Sequence, residues 1–350
     1  MSHSTVRAAQ TAASDPLSGT SPAAELEYVL ASARTIPITD PEALMNADLS
    51  LAGRTAVVTG AGAGLGRCEA LALAARGANV VVNDMGPAAE EVAAEIKRAG
   101  GQAVAVTGDV GDWSMGDTLV SAAVDTFGSL DVLVNNAGVL RDKMLFNLSE
   151  SDWDDVIRVH LKGHASVSRA AAVHWRTASK AAGGPVYGRV VNTASEAFLF
   201  GSAGQPNYSA AKAGIVALTL STAAGLGRYG VRANAICPRA RTAMTEATFA
   251  EGTSPGGLDS MAPERVGTFV GYLASPAAEK ISGQVFVVYG DMVALMAAPT
   301  VEHKFTAADG VFSVEELGEQ VTPYFEGREP HRTYAAYSVA ALDDTGTSKH

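Results

Sequence analysis

Thr55-Ala56-Val57-Val58-Thr59-Gly60-Ala61-Gly62-Ala63-Gly64-Leu65-Gly66 is the stretch whose reading decides the fold. Thr55–Thr59 is short, apolar and β-branched, and reads as a buried strand. The glycines mark a sharp turn, and Leu65–Arg76 then reads as a helix stopped by Gly77. A turn of this kind carries no side chains that would block a phosphate. Its backbone amides and the helix dipole both favour an anion such as a pyrophosphate. Glycine clusters also serve close packing, but this one lies between a strand and a helix, the setting a dinucleotide cradle requires. Gly60, Gly64, Leu65 and Gly66 are therefore candidate cofactor-binding residues.

Downstream the same alternation repeats. Asn79–Asn83 reads as a strand, followed by a helix that starts at Pro87 and closes at Gly100. Ala103–Thr107 and Asp131–Asn135 are further strands, with a helix over Trp113–Phe127 between them. A long helix over Asp152–Ala178 follows, then strand Gly188–Thr193, helix Tyr208–Arg228, strand Val231–Ile236, helix Pro263–Ala274 and strand Gln284–Val288. The strands are apolar nearly throughout, so both faces of their sheet need cover. The expected fold is α/β: one Rossmann-type doubly wound domain whose seven-stranded parallel sheet has helices on both faces. It spans residues 51–295. Residues 1–50, polar and proline-punctuated with a short helix over Ala23–Ala33, read as a partly flexible extension. Residues 296–350 read as a tail whose aromatics serve the substrate cleft or an oligomer contact.

Of the 350 residues, 47% are hydrophobic and 18% charged, enough for a sizeable core. A net charge of −11 argues against nucleic acid as the main partner, since phosphate binding usually shows as a basic surplus. Cys68 and Cys237 give neither a disulfide framework nor metal spacing, so no metal site is expected. No signal-peptide core precedes Asp15, and Ala213–Leu226 reads as too short and too polar to span a bilayer. A cytoplasmic protein is expected.

Asp84 ends the second strand. A carboxylate there can accept both adenosine-ribose hydroxyls and repel a 2′-phosphate, which selects NAD over NADP. It could instead cap the turn Met85-Gly86-Pro87, and a nearby Arg67 would tolerate phosphate.

Together, Thr59-Gly60-x-x-x-Gly64-x-Gly66, Asp109-Val110, Asn135-Asn136-Ala137-Gly138, Ser195 and Tyr208-x-x-x-Lys212 resemble the short-chain dehydrogenase/reductase family over about residues 50–295. Tyr208 and Lys212 are i and i+4 on one helix, so their side chains share a face. A free tyrosine has a pKa of about 10, and a neighbouring ammonium is expected to lower it. Tyr208 could then exchange a proton with a substrate hydroxyl while Ser195 orients the same oxygen. The resemblance implies that Lys212 also holds the nicotinamide ribose, that Asp109 and Val110 flank the adenine, and that Asn136, Ala137 and Gly138 line the cofactor cleft. The Asn135–Gly138 stretch would also suit an ordinary turn.

Two segments depart from the family pattern. Val159-His160-Leu161-Lys162-Gly163 carries His160 where an asparagine of a proton relay is usual. His160 either takes the catalytic place of that asparagine or only packs within its helix. After the sixth strand Pro238-Arg239 replaces the usual Pro-Gly. Pro238 and Thr242 are still expected at the nicotinamide end.

Three segments resemble one branch of the family: Asn83–Gly86, Arg141–Phe146, and the His160 segment together with Ile236–Thr245. That branch comprises the dehydrogenase unit of peroxisomal multifunctional enzymes of type 2, also called 17β-hydroxysteroid dehydrogenase type 4, and its single-domain actinobacterial relatives. The resemblance implies oxidation of a 3-hydroxyacyl-CoA, of the 3R epimer and including sterol-derived chains, with NAD as acceptor. Arg141, Lys143, Arg239 and Arg241 are either contacts for CoA phosphates or solvated surface charges. A homodimer or homotetramer is implied by the resemblance alone. A steroid alcohol dehydrogenase, a 3-oxoacyl-carrier-protein reductase and a dinucleotide-sensing scaffold are the alternative readings.

Overall fold

The computed structural model describes residues 49–241, 259–329, 332–336 and 339. The expected extension at residues 1–50, with its helix over Ala23–Ala33, lies outside them except for Leu49 and Ser50, and so does Thr242.

Strand β1 (Thr55–Thr59) is buried along its whole length and feeds helix α1 (Gly64–Ala75) through the glycine turn. Strand β2 (Asn79–Asp84), helix α2 (Ala88–Arg98), strand β3 (Gln102–Thr107) and helix α3 (Met115–Phe127) complete the first half. The chain then crosses back past β1 to β4 (Val132–Asn135) and proceeds the other way. Next come helices α4 (Glu150–Val156) and α5 (Gly163–Ala182), strand β5 (Gly188–Thr193), the short α6 (Ala197–Phe200) and the long α7 (Pro206–Leu226). Strand β6 (Val231–Pro238), helix α8 (Pro263–Leu273) and strand β7 (Val285–Tyr289) follow.

The sheet order is β3-β2-β1-β4-β5-β6-β7-β8, with every pair parallel except the last. The expected all-parallel seven-stranded sheet is thus corrected to eight strands. Strand β8 (Met292–Leu295) pairs antiparallel with β7 across the turn Gly290-Asp291, where Gly290 has φ 58°. A two-residue loop opening on a glycine is a hairpin signal, and only Gly290-Asp291 separates β7 from β8.

Alternate strand residues feed two apolar layers. Val58, Val80 and Val82 pack with Leu73, Val92, Ile96, Val266 and Val270 from α1, α2 and α8. Val57, Val81 and Leu133 pack with Leu119, Ala123, Val167 and Trp175 from α3 and α5 on the other face. Each fully buried valine or leucine contributes about 1.5–3 kcal/mol. The Trp175 indole is satisfied inside this layer by donating to the Leu130 carbonyl at 2.7 Å.

The long helix expected over Asp152–Ala178 is divided. Ser149 and Asp152 form a capping box at its start, and Ile157–Lys162 widens into a π-helical turn between α4 and α5. Such turns place side chains that a regular helix would carry elsewhere, and this one holds His160.

Candidate active site

The strand order reverses between β1 and β4, so their C-terminal loops part and leave a crevice there. Thr59 and Asn136 lace the two loops together. Thr59 Oγ1 accepts from the amides of Asn136 (3.0 Å) and Ala137 (3.2 Å), and Asn136 Nδ2 donates to the carbonyls of Thr59 and Gly60 at 3.2 Å. Gly60 has φ 62°, and a Cβ on it would lie 2.7 Å from Ala137 Cα. A Cβ on Gly66 would meet the Gly60 carbonyl oxygen at 2.3 Å. Larger residues at either position would push the loops apart. Helix α1 opens on Ala63, which supplies no side-chain cap, so its first turn faces the crevice without a competing side chain. These features fit an anionic dinucleotide.

Asp84 stands at the end of β2. Its Oδ2 accepts from the Gly62 amide (2.9 Å) and its Oδ1 from the Met85 amide (2.7 Å), which aims the carboxylate at the crevice rim. Arg67 is engaged elsewhere, with its Nε and Nη2 on Glu95 at 3.0 and 2.5 Å. Asp109 accepts from Arg158 (2.5 Å) and from the Gly111 amide (2.7 Å). Burial alone would raise the Asp109 carboxyl, but these two donors hold it below its ordinary value.

A cavity of about 340 Å³ collects the candidates. Its walls include Gly60, Gly64, Leu65, Asp84, Asp109, Val110, Asn136, Ala137, Gly138, His160, Ser195, Tyr208, Lys212 and Pro238. Gly66 is not on the wall and acts through the close approach described above. Ser195 comes from the end of β5, Tyr208 and Lys212 from α7, and His160 from the π turn.

Lys212 is 2% exposed and donates to the Thr193 carbonyl at 2.5 Å, with Nζ 5.3 Å from the Tyr208 ring centre. The expectation that its ammonium lowers the Tyr208 phenol is corrected here. Burial pushes Tyr208 up to about 12, and the influence that lowers it is the Ser195 hydroxyl. Burial also pushes Lys212 down to about 7, against the pull of Cys237 and Glu69. Both shifts have one cause: the charged form of each group is poorly solvated. The phenol is therefore protonated at neutral pH, and Lys212 is the group whose charge changes there.

The His160 ring meets Tyr208 edge-on at 5.2 Å. Its Nε2 lies 2.8 Å from the Val139 carbonyl oxygen and 3.0 Å from the Val139 amide nitrogen. Burial, then the Lys212 charge, hold the ring well below the ordinary histidine value, so it is neutral at physiological pH. The space beside it is taken up, since a Cβ on Gly138 would lie 2.3 Å from its Cε1.

Beneath the cavity runs a buried polar chain. Asn135 Nδ2 donates to Ser168 (3.0 Å) and Asn192 (2.9 Å), and Asn192 Nδ2 donates to Thr219 (2.8 Å), tying β4, β5, α5 and α7 together. Sequence reasoning did not single out three buried groups near the site. Glu69 is fully buried with no hydrogen-bond partner on either oxygen, and burial pushes it up to about 8. It stands between Leu65 and Leu73 on the apolar face of α1, a position that helical spacing exposes. His164, one turn after His160, is pushed by burial down to about 3. Glu196 directly follows Ser195 and forms a buried pair with Arg239. The four cations weighed for CoA phosphates all hold carboxylates: Arg141 on Asp155, Lys143 on Asp152, Arg239 on Glu196 and Arg241 on Asp259.

Comparison with known proteins adds to this geometry. The family model described as short chain dehydrogenase matches residues 54–252. The hydroxyacyl-CoA dehydrogenase ChsB1 of Mycobacterium tuberculosis is 52% identical over 295 residues, covering 82% of this chain and 93% of that protein. The peroxisomal multifunctional enzyme type 2 of Mus musculus is 41% identical over 249 residues, covering 68% of this chain but 32% of its own length. A crystal structure of a short chain dehydrogenase from Mycobacterium avium superposes with a TM-score of 0.72 at 45% identity, covering 82% of this chain and 99% of that one.

Proposed function

The chain belongs to the short chain dehydrogenase family, and from that premise we propose that it oxidises a 3-hydroxyacyl-CoA to the 3-oxoacyl-CoA with NAD. The observation that carries the chemistry is the convergence of Ser195, Tyr208 and Lys212 on the cavity whose far wall is the glycine cradle. The thioester class rests on the hydroxyacyl-CoA dehydrogenase that the chain resembles over most of its length.

When bound, the nicotinamide supplies the two-electron hydride acceptor. The Gly60–Gly66 turn and the first turn of α1 would hold its pyrophosphate, and Asp84 its adenosine ribose. Asp109 and Val110 would lie at the adenine, with Asn136, Ala137 and Gly138 along the cleft and Pro238 at the nicotinamide end. In reduction the Tyr208 phenol would give its proton to the substrate oxygen. In oxidation Tyr208 would first have to lose that proton and would then, as the phenolate, take the substrate hydroxyl proton, while Ser195 hydrogen-bonds the same oxygen. Lys212 would hold the nicotinamide ribose, and burial pushes its ammonium down to about 7. His160, neutral and bound to Val139, orients the cavity wall beside Tyr208. NAD is favoured over NADP because Asp84 faces the cavity and Arg67 is held by Glu95.

A homo-oligomer is part of this proposal. By length and composition Pro206–Tyr229 could cross a membrane, since α7 starts before the Ala213–Leu226 run and the 3-10 turn Gly227–Tyr229 continues it. It instead turns Lys212, Ile215 and Thr219 inward and leaves Ala213, Ala217, Leu220 and Ala224 exposed as an uncharged stripe. Such a stripe suits a second copy of the chain. The two buried free thiols, Cys68 and Cys237, suit the reducing cytoplasm.

The test is NADH formation at 340 nm with short, long and steroidal 3-hydroxyacyl-CoA thioesters. Tyr208→Phe should lower kcat by about 10²–10⁴-fold while NAD binding persists. If no thioester turns over although NAD binds, the thioester assignment fails and free steroid alcohols become the substrates to try.

A further inference from the structure

Arg239, directly after β6, does not face solvent. Its Nε and Nη2 donate to the two carboxylate oxygens of Glu196 at 2.6 and 2.8 Å. The side chains of the pair are 14% and 10% exposed. Nη2 donates a second time, to the Val339 carbonyl at 2.5 Å, across 100 residues of sequence. The Arg239 amide donates to Val288 at the end of β7 (2.9 Å), and its guanidinium lies 5.4 Å from the Tyr289 ring centre.

Val339 is itself anchored. It is 6% exposed and belongs to an apolar cluster with Ala194, Ile215, Cys237, Val287 and Met292. Nearby, the Ala336 amide donates to the Leu199 carbonyl in α6 at 2.8 Å. The segments meeting here flank the reacting atoms, because Ala194, Ser195, Pro238 and Ala240 all line the cavity. Ser195 Oγ also accepts from the Ala197 amide (3.2 Å), so the start of α6 bears directly on the serine. Both anchor points, Ala336 and Val339, lie beyond the matched family span of residues 54–252.

We infer that the Glu196–Arg239 pair is a positioning clamp through which the docked C-terminal return, Ala336 and Val339, sets the placement of Ser195 and the Pro238–Ala240 wall. A buried ion pair is a costly way to gain stability, but a planar guanidinium with three fixed donors gives orientation that an apolar contact does not. One fork face locks the residue after the serine. The remaining donor holds the tail carbonyl, so both attachments share one rigid group. Loss of the tail contact should unseat the serine loop, and loss of the arginine should release both.

The experiment uses the full chain, with Arg239→Gln and Val339→Asp made singly and together. Turnover is read on a 3-hydroxyacyl-CoA, NAD affinity by direct titration, and backbone exchange at Ala197–Leu199 and Ala336 by mass spectrometry. Each single variant should lower kcat by about 10–100-fold, as displacement of a reacting group does, with NAD affinity within about two-fold of wild type. The double variant should be no worse than the weaker single one, because both break the same link. Exchange at Ala197–Leu199 should rise in Val339→Asp while exchange in β1 and β4 stays at wild-type rates. The charge swap Glu196→Arg with Arg239→Glu can restore the ion pair but leaves a carboxylate, which cannot donate, facing the Val339 carbonyl. Its kcat should therefore stay as low as that of Arg239→Gln, and recovery to wild-type kcat would overturn the clamp. Unchanged kcat in Val339→Asp, or losses that multiply in the double variant, would overturn the clamp. Should no thioester be turned over by wild type, the function proposal fails separately. The exchange data then decide the clamp: unaltered protection at Ala197–Leu199 in Val339→Asp refutes it.

Discussion

Replacing Glu69 by Gln should remove a pH dependence of folding stability that the wild-type chain carries between pH 4.5 and 8. The carboxyl is fully buried, its oxygens have no hydrogen-bond partner, and burial raises it from 4.5 to about 8. Within that window the folded protein keeps a proton that the unfolded chain has released. The fold's advantage from this group is complete below pH 4.5 and is lost as pH rises through 8, by up to about 1.4 kcal/mol per pH unit. Integrated over the window, the loss is on the order of 5 kcal/mol, a large share of a domain's usual 5–15 kcal/mol. Gln has nearly the same shape and does not titrate, so its curve should lack this slope. His164, pushed to about 3, makes stability fall as pH drops below 6.5, but it does so in both proteins and cancels in the difference. The assay is urea unfolding of wild type and Glu69→Gln at pH 5, 6, 7 and 8. The stability difference, variant minus wild type, should grow steadily in favour of the variant. Parallel curves would mean that Glu69 is ionised in the fold throughout, stabilised by the Lys212 charge that already draws it downward, and would refute the reasoning.

Two further predictions concern cofactor choice and assembly. Asp84→Ala should raise the KM for NAD and narrow the preference over NADP by at least about tenfold, because a 2′-phosphate would no longer meet a carboxylate; an unchanged ratio of kcat/KM values would remove Asp84 from the ribose site. Ala217→Glu with Leu220→Glu should shift the protein toward monomer in sedimentation velocity, since charge on the outer stripe of α7 cannot be buried unpaired; a wild-type chain that already sediments as a monomer would refute the assembly proposal.

Much of the architecture is local and therefore readable in the residues. The glycine turn needs small side chains whatever surrounds it, and parallel strands covered on both faces must be apolar throughout. Those demands place β1–β7 and their helices within a few residues of where periodicity puts them. They also bring Ser195, Tyr208 and Lys212 to one cavity, because i and i+4 on a helix and the end of a neighbouring strand leave little choice. The eighth strand was legible too, in Gly290-Asp291, but a short edge strand lacks the continuous apolar run of its neighbours.

Electrostatics and long-range pairing were decided only in three dimensions. Spacing says that Lys212 neighbours Tyr208, yet whether it lowers the phenol depends on how much water either group keeps. Burial of both reverses the expected direction. Arg67, Arg141, Lys143 and Arg241 read alike as basic side chains near a cleft, and only the fold assigns each its carboxylate. The π turn that delivers His160, the partnerless carboxyl of Glu69 and the reach of Arg239 to Val339 depend on neighbours far away in sequence. A pattern of residue types specifies periodicity and turn chemistry, which act over a few residues. Desolvation and ion pairing depend on everything within several ångströms, and that set exists only once the chain has folded.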